Sequence, residues 1–293
     1  MSAAIAGLAH GVITEPGVYS LAPEDYFADP VPESQGGSLS ASGAKKLLPP
    51  NCPAVFDHER RHGRPPKAAF DFGHAAHELV LGIGAGIVSV DATDWRTKAA
   101  KEAKEAAYAE GKVPLLAADV EVVKAMAEVI WEHPVARVLF DPDNEGKPEQ
   151  ALFRQDEQGV WLRSMLDWLP ASGDGRMVVP DYKTCVSAAP EKFRKSFADY
   201  GYFMQAAWYL DMVTGLELAE DAAFVFVAQE KSAPYLVSVF EPDAESLRIG
   251  REANRRAIDI YATCQSDGVW PGYSPEVELI SLPPWFVRQL EYM

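Results

Sequence analysis

The hydrophobic period of the chain changes at residue 149, and few other features constrain the fold as much. Upstream, "AADVEVVKAMAEVIWEHP" sets Val122, Val123, Met126, Val129 and Ile130 at helical spacing, and Pro134 closes the run. Downstream, "EQALFRQ" and "GVWLRSMLDWLP" read as strands joined by a turn at "DEQG", and "ASGDG" turns the chain into "RMVVPDYKT". Three consecutive antiparallel strands would put Asp167 and Asp181 on neighbours. Residues i and i+2 of a strand share a side, so Asp181 and Lys183 project together. An isolated D-x-K is usually an ion pair on a solvated sheet; what matters is the company it keeps.

The remaining punctuation fits an α/β chain. "SLSASGAKKLLPP" offers serine caps before a short helix that stops at Pro49 and Pro50. "AAFDFGHAAHELVLG" reads as a buried helix ended by Gly82. "DWRTKAAKEAKEAAYAEGK" reads as a polar helix capped by Asp94, stopped at Gly111 and projecting into solvent. "APEKFRKSFADYGYFMQAAWYLDMVTG" is a helix broken near Gly201 or two helices, "AAFVFVAQEKSAPYLVSVF" a second hairpin, and "AESLRIGREANRRAIDIYATCQSDG" a long amphipathic helix. The end, from "VWPGY", is loop-like with aromatic anchors. One unit is expected over 1–293: an irregular and helical lead-in over 1–68, a helical part over 69–140, and a sheet core over 149–293.

No apolar run approaches a membrane span, and no secretory leader opens the chain. Cys52, Cys185 and Cys264 are dispersed, so neither a disulfide framework nor an Fe–S cluster is expected, and a cytoplasmic setting is. Cys185 reads as a small buried filler. The net charge of −16 argues against a protein that coats nucleic acid, but not against a nuclease holding phosphate between metals and a local basic channel.

Asp167, Asp181 and Lys183 are a kit for phosphodiester hydrolysis. Carboxylate oxygens suit Mg²⁺, which keeps positions open for water and phosphate; Mn²⁺ could substitute, and the Tyr182 carbonyl could complete the coordination. A neighbouring lysine can orient or deprotonate water and offset developing charge. His77 follows Gly73 in a G-x-x-x-H, with His74 on the same helix face as its competitor; either is a core histidine or a ligand. Gln205 and Tyr209, four apart, share a face and point at the core or at DNA. Glu149 is an extra acid of the site or a solvated strand end. Arg163, Lys192, Arg194 and Lys195 are candidate channel cations or a solvated face.

The ordered series G-x-x-x-H, D, D-x-K, Q-x-x-x-Y resembles the RecB-like branch of the PD-(D/E)XK nuclease superfamily, and within it the RecE-type exodeoxyribonuclease VIII nuclease domain of phages and prophages. The blocks "GVYSLAPEDYFAD", "SLSASGAKKLLPPNCPAVF", "WRTKAAKE", "FVFVAQEKSAPYLVSVF" and "WPGY" follow in that family's order. The resemblance implies a restriction-endonuclease-like core, a mixed central sheet flanked by helices, with a helical N-terminal elaboration. It implies Asp167 and Asp181 as metal ligands, Lys183 as catalytic lysine, His77 close to the metals, and Gln205 and Tyr209 as supporting and DNA-contacting residues. It also implies an Mg²⁺-dependent exonuclease on double-stranded DNA ends, running 5′ to 3′ and producing 3′ tails for recombination. A homo-oligomeric ring and a single-strand annealing protein are the implied partners. The alternatives are an idle DNA-end-binding or docking module of the same fold, and a nuclease of other polarity or single-strand preference.

Overall fold

In the computed structural model, which describes residues 11–63, 68–173 and 175–291, the change of period at 149 is a change from helices to sheet. The lead-in supplies β1 (Gly17–Ser20), α1 (Pro23–Phe27), β2 (Ser38–Ser40), α2 (Ala41–Leu47) and α3 (Pro53–His62). Ser40 caps α2, its Oγ accepting from the Gly43 amide at 3.1 Å. Next come α4 (Ala68–Leu81), β3 (Ile87–Val90), α5 (Lys98–Ala109), β4 (Val113–Leu116), α6 (Ala117–Glu132) and α7 (Ala136–Leu139). The rest is β5 (Lys147–Gln155), β6 (Trp161–Leu169), β7 (Met177–Cys185), α8 (Pro190–Asp199), α9 (Tyr202–Gly215), β8 (Ala222–Glu230), β9 (Val237–Phe240), α10 (Ala244–Asp267) and α11 (Pro284–Glu291). Gly201, at φ 61°, breaks α8 from α9, and Gly82, at φ 73°, ends α4.

The third expected antiparallel neighbour is not one. β5 and β6 form the hairpin, with β1 antiparallel to β5 and β2 parallel to β6. β7 pairs instead with β8, in parallel, and β8 with β9, antiparallel. The α8–α9 crossover brings β8 beside β7, as a parallel connection requires. β7 still lies alongside β6, where the Tyr182 amide donates to the Asp167 carboxylate at 2.7 Å. The lead-in is also less irregular than expected, because β1 and β2 flank the β5–β6 hairpin on both sides. Residues 1–10 and 64–67 of it lie outside the described residues.

Period two sorts β7 and β8 between two cores. Val179, Phe224 and Phe226 face α9, α10 and α2, packed with Met204, Trp208 and Ile258. Tyr182 and Val227 face α4 and α6, packed with Val80, Val123, Met126 and Ile130. Both faces of this sheet are therefore covered.

Two helix readings are corrected. Thr97, not Asp94, caps α5, accepting from the Ala100 amide at 3.2 Å, while Asp94 accepts from the Arg96 amide at 2.8 Å. Nor does α5 project freely: Ala100 and Ala107 are buried, and Tyr108 donates to Asp71 of α4 at 2.6 Å. Small alanines leave so narrow an apolar stripe that the sequence shows little of it. No described helix is long and apolar enough to cross a membrane.

Candidate active site

The side of β7 that faces α9 holds Asp181 and Lys183 together, as the i, i+2 spacing requires. Asp181 is 1% exposed; its Oδ1 accepts from Gln205 Nε2 at 2.7 Å. Lys183 Nζ stands 2.5 Å from Oδ2, off the line of a hydrogen bond, so this buried oxygen has no aligned donor. Burial pushes the Asp181 carboxyl up to about 6, although Lys183 pulls it down. Lys183 is half-buried, which lowers its ammonium, yet Asp181 and Asp167 hold it above the ordinary value.

Asp167 reaches the same place from β6. Its Oδ2 accepts from the Tyr182 amide at 2.7 Å and lies 3.6 Å from His77 Nδ1. Burial raises this carboxyl as well, against Lys183 and the Tyr182 amide. His77 comes from α4, its ring edge-to-face on Tyr182 with centroids 5.0 Å apart. Burial, then Lys183, pushes the imidazole down to about 4, so it is neutral at ordinary pH. His74, the competitor, is exposed.

Glu149 is not a solvated strand end. It falls between Pro148 and Gln150, which pair with Trp168 and Leu166, and thus opposite Asp167. Its ladder pairing is lost at φ 46°, a left-handed conformation that a glutamate adopts at a cost. Burial, Asp167 and Glu78 push its carboxyl up to about 6. Tyr209, half-buried below Gln205, packs edge-to-face on Phe224, and burial holds its hydroxyl well above the usual range. Both residues of that helical pair thus lie against the carboxylates from within the core.

Arg163 is removed from the channel candidates: it is 2.6 Å from Asp29, donates to Ser38 and covers the Tyr26 ring. Lys192, Arg194 and Lys195 are exposed on α8. Burial pushes the Cys185 thiol up to about 11, which suits a filler rather than a nucleophile.

Among the described residues no three His, Cys, Asp or Glu side chains gather as a metal cage. The donors fit a hard cation nonetheless. Asp181 presents an oxygen without an aligned donor, Asp167 stands beside it, and Mg²⁺ commonly takes one or two carboxylates and completes its shell with water and phosphate. Asp167 and Asp181 are the residues that would hold it, with neutral His77 adjacent.

Two residues escaped the sequence reading. Gln229, fully buried, accepts from the Tyr182 hydroxyl at 2.5 Å and donates to the Met126 carbonyl at 2.8 Å. A glutamine ending the apolar run "AAFVFVAQ" was the available signal. Lys45, beside Lys183, had none beyond its place in "AKKLL".

An acid on one strand and D-x-K on the strand alongside it, with a helix histidine beside them, has the build of a PD-(D/E)XK-type domain. The chain belongs to the family described as "PDDEXK-like domain of unknown function (DUF3799)", whose model matches residues 40–283. A crystal structure from Eubacterium rectale described as "Putative exonuclease" is similar at a TM-score of 0.62 and 12% identity, covering 92% of this chain and 98% of that one. A second structure, SSO0001, covers 64% of this chain and 85% of its own at 16% identity; its TM-score is 0.27, and it carries no argument. No curated protein matches. The fold is thus the restriction-endonuclease-like α/β core that the ordered motifs imply, and the RecE-like resemblance fits both findings.

Proposed function

We propose that the protein is a divalent-metal-dependent exodeoxyribonuclease acting on linear double-stranded DNA, 5′ to 3′, and leaving 3′ single-stranded tails for recombination. The observation that carries the hydrolytic reading is the meeting of the buried Asp181 carboxylate, the half-buried Asp167 carboxylate and a charged lysine where β6 and β7 lie side by side, with Lys183 2.5 Å from Asp181. Asp167 and Asp181 would hold a divalent cation, Mg²⁺ or Mn²⁺, which would supply Lewis acidity for the scissile phosphate and the attacking water. Lys183 keeps its proton next to Asp181 and so offers positive charge to the phosphoryl oxygens as they gain negative charge. Gln205 fixes the Asp181 rotamer through its 2.7 Å bond, and the Tyr182 amide does the same for Asp167. Neutral His77 confines the Asp167 carboxylate from the helix side.

The end-directed action rests on the RecE-like resemblance and on the description of the Eubacterium rectale protein. On the same resemblance the chain would assemble into a homo-oligomeric ring and work with a single-strand annealing protein. The exposed cations of α8 would line the approach of the duplex.

Linear duplex labelled at the 5′ or the 3′ end, digested with Mg²⁺ beside a Lys183→Ala control, tests this reading. Early release of the 5′ label as mononucleotide, lost in the control and absent on closed circles, is expected. Early release of the 3′ label reverses the polarity, and cutting of closed circles removes the exonuclease. No release by the wild type with either metal leaves an idle end-binding module.

A further inference from the structure

The ring of Tyr202, at the start of α9, has two ammonium groups beside it. Lys183 Nζ lies 5.6 Å from its centroid, and Lys45 Nζ, from α2, lies 5.7 Å from it. The two lysines are treated differently. Lys183 is paired with Asp181. Lys45 has no carboxylate partner among the described residues; its ammonium donates to the Tyr200 carbonyl at 2.9 Å and covers the aromatic face. Its chain neighbour Lys46 pairs with Glu59 and is neutralised.

Leaving a part-buried lysine unpaired beside another lysine is unfavourable, in a chain with 43 acids for 27 basic residues. Burial, then Lys183, pushes the Lys45 ammonium down to about 8, and only Asp181 opposes this. The lysine is also held in place. Gly201 takes φ 61° at the turn between α8 and α9, and a Cβ there would lie 3.2 Å from Lys45 Cδ, so the turn closes directly over the stem. One N–H of the ammonium is used by Tyr200, and the others are free for an acceptor. A fixed cation with spare donors, next to carboxylates that would themselves repel a polyanion, is suited to an anionic oxygen.

We propose that Lys45 is a phosphate-binding residue of this site, its ammonium receiving a non-bridging oxygen of a backbone phosphate in the strand being cut. The proposal rests on the nuclease reading and adds a substrate contact that Asp167, Asp181 and Lys183 do not supply.

Hydrolysis of linear duplex over a range of salt, by the wild type, Lys45→Met and Lys45→Arg, tests it. Loss of one charge-assisted contact should raise KM about tenfold with kcat within about threefold. The plot of log kcat/KM against log salt should become shallower by about one unit, and Lys45→Arg should restore both. A merely structural lysine, bracing the Tyr200 turn, would lower the melting temperature and leave the salt slope alone. An unchanged slope, or a fall in kcat at constant KM, overturns the proposal. Equilibrium binding of labelled duplex to Lys183→Met protein, with and without Lys45→Met, reads the same contact without turnover. An inactive wild type therefore defeats the nuclease reading, whereas an unchanged salt slope of binding defeats the Lys45 contact alone.

Discussion

The two faces of β7 carry side chains of one strand into different surroundings. Toward α9 stand Asp181 and Lys183, an ion pair whose buried carboxyl is pushed up to about 6. Toward α4 and α6 stands Tyr182, whose hydroxyl is bonded to Gln229 among aliphatic side chains. The first face holds charge where burial opposes it, and the Coulombic gain of such a pair rarely exceeds its desolvation cost. The second satisfies its polar groups and packs apolar ones, which is what stabilises a fold. A strand can thus separate chemistry from stability by period two alone, and changes on the two faces should have opposite signatures.

The largest effect is expected on the charged face. Lys183→Met or Asp181→Asn should lower DNA hydrolysis about 10³-fold or more while circular dichroism stays native. Native-level hydrolysis by either variant would break the comparison. On the other face, Gln229→Met strands the Tyr182 hydroxyl, and urea unfolding should show a loss of about 1–3 kcal/mol. Activity per folded molecule should hold, because Gln229 touches no reacting group.

Gln205→Leu sharpens the boundary between the faces. It removes the donor that favours the charged Asp181, so that carboxyl should titrate higher still. Hydrolysis should fall about 10- to 100-fold, with the acid limb of the pH profile moved upward. For the wild type, Mg²⁺ or Mn²⁺ should bind more tightly as pH rises through about 6, where Asp181 and Glu149 lose their protons. Stability of the metal-free protein should run the other way. Both carboxyls are raised in the folded state, so their contribution is fully present below about pH 4 and is lost as pH rises through about 6. Unfolding midpoints of metal-free protein across that window check the sign. The smallest effect is expected far from both faces. The described residues after Gly272, 273–291, are exposed, so truncation after Gly272 should change stability by no more than about 0.5 kcal/mol, read by urea titration. Trp270, which packs on Phe56, would be retained.

The charged face was legible because it is local: D-x-K fixes its own orientation, and the i, i+4 spacing put Gln205 and Tyr209 on one helix face. Caps and glycines likewise marked α2, α4 and the α8–α9 break. What could not be read depends on distant partners. Nothing in "VVPDYKT" tells whether β7 pairs with β6 or with a strand 45 residues on, and four-residue β1 is too short to show a period. Glu149 looked solvated because its φ of 46° and its approach to Asp167 exist only in the paired hairpin. Arg163 looked like a free cation until Asp29 and Ser38 came to it from the lead-in. Lys45 and Lys46 are indistinguishable in sequence, and only the fold gives one to Glu59 and the other to Tyr202.

The most direct test of a metal-dependent hydrolytic site on one face of β7 measures binding and cutting in the same variants. Mn²⁺ is titrated into wild type, Asp167→Asn, Asp181→Asn and Lys183→Met, and each is then given linear duplex. The two carboxylate variants should lose metal binding and hydrolysis together, while Lys183→Met should still bind the ion but not cut. Hydrolysis by Lys183→Met at the wild-type rate, or undiminished Mn²⁺ binding in both carboxylate variants, would contradict such a site.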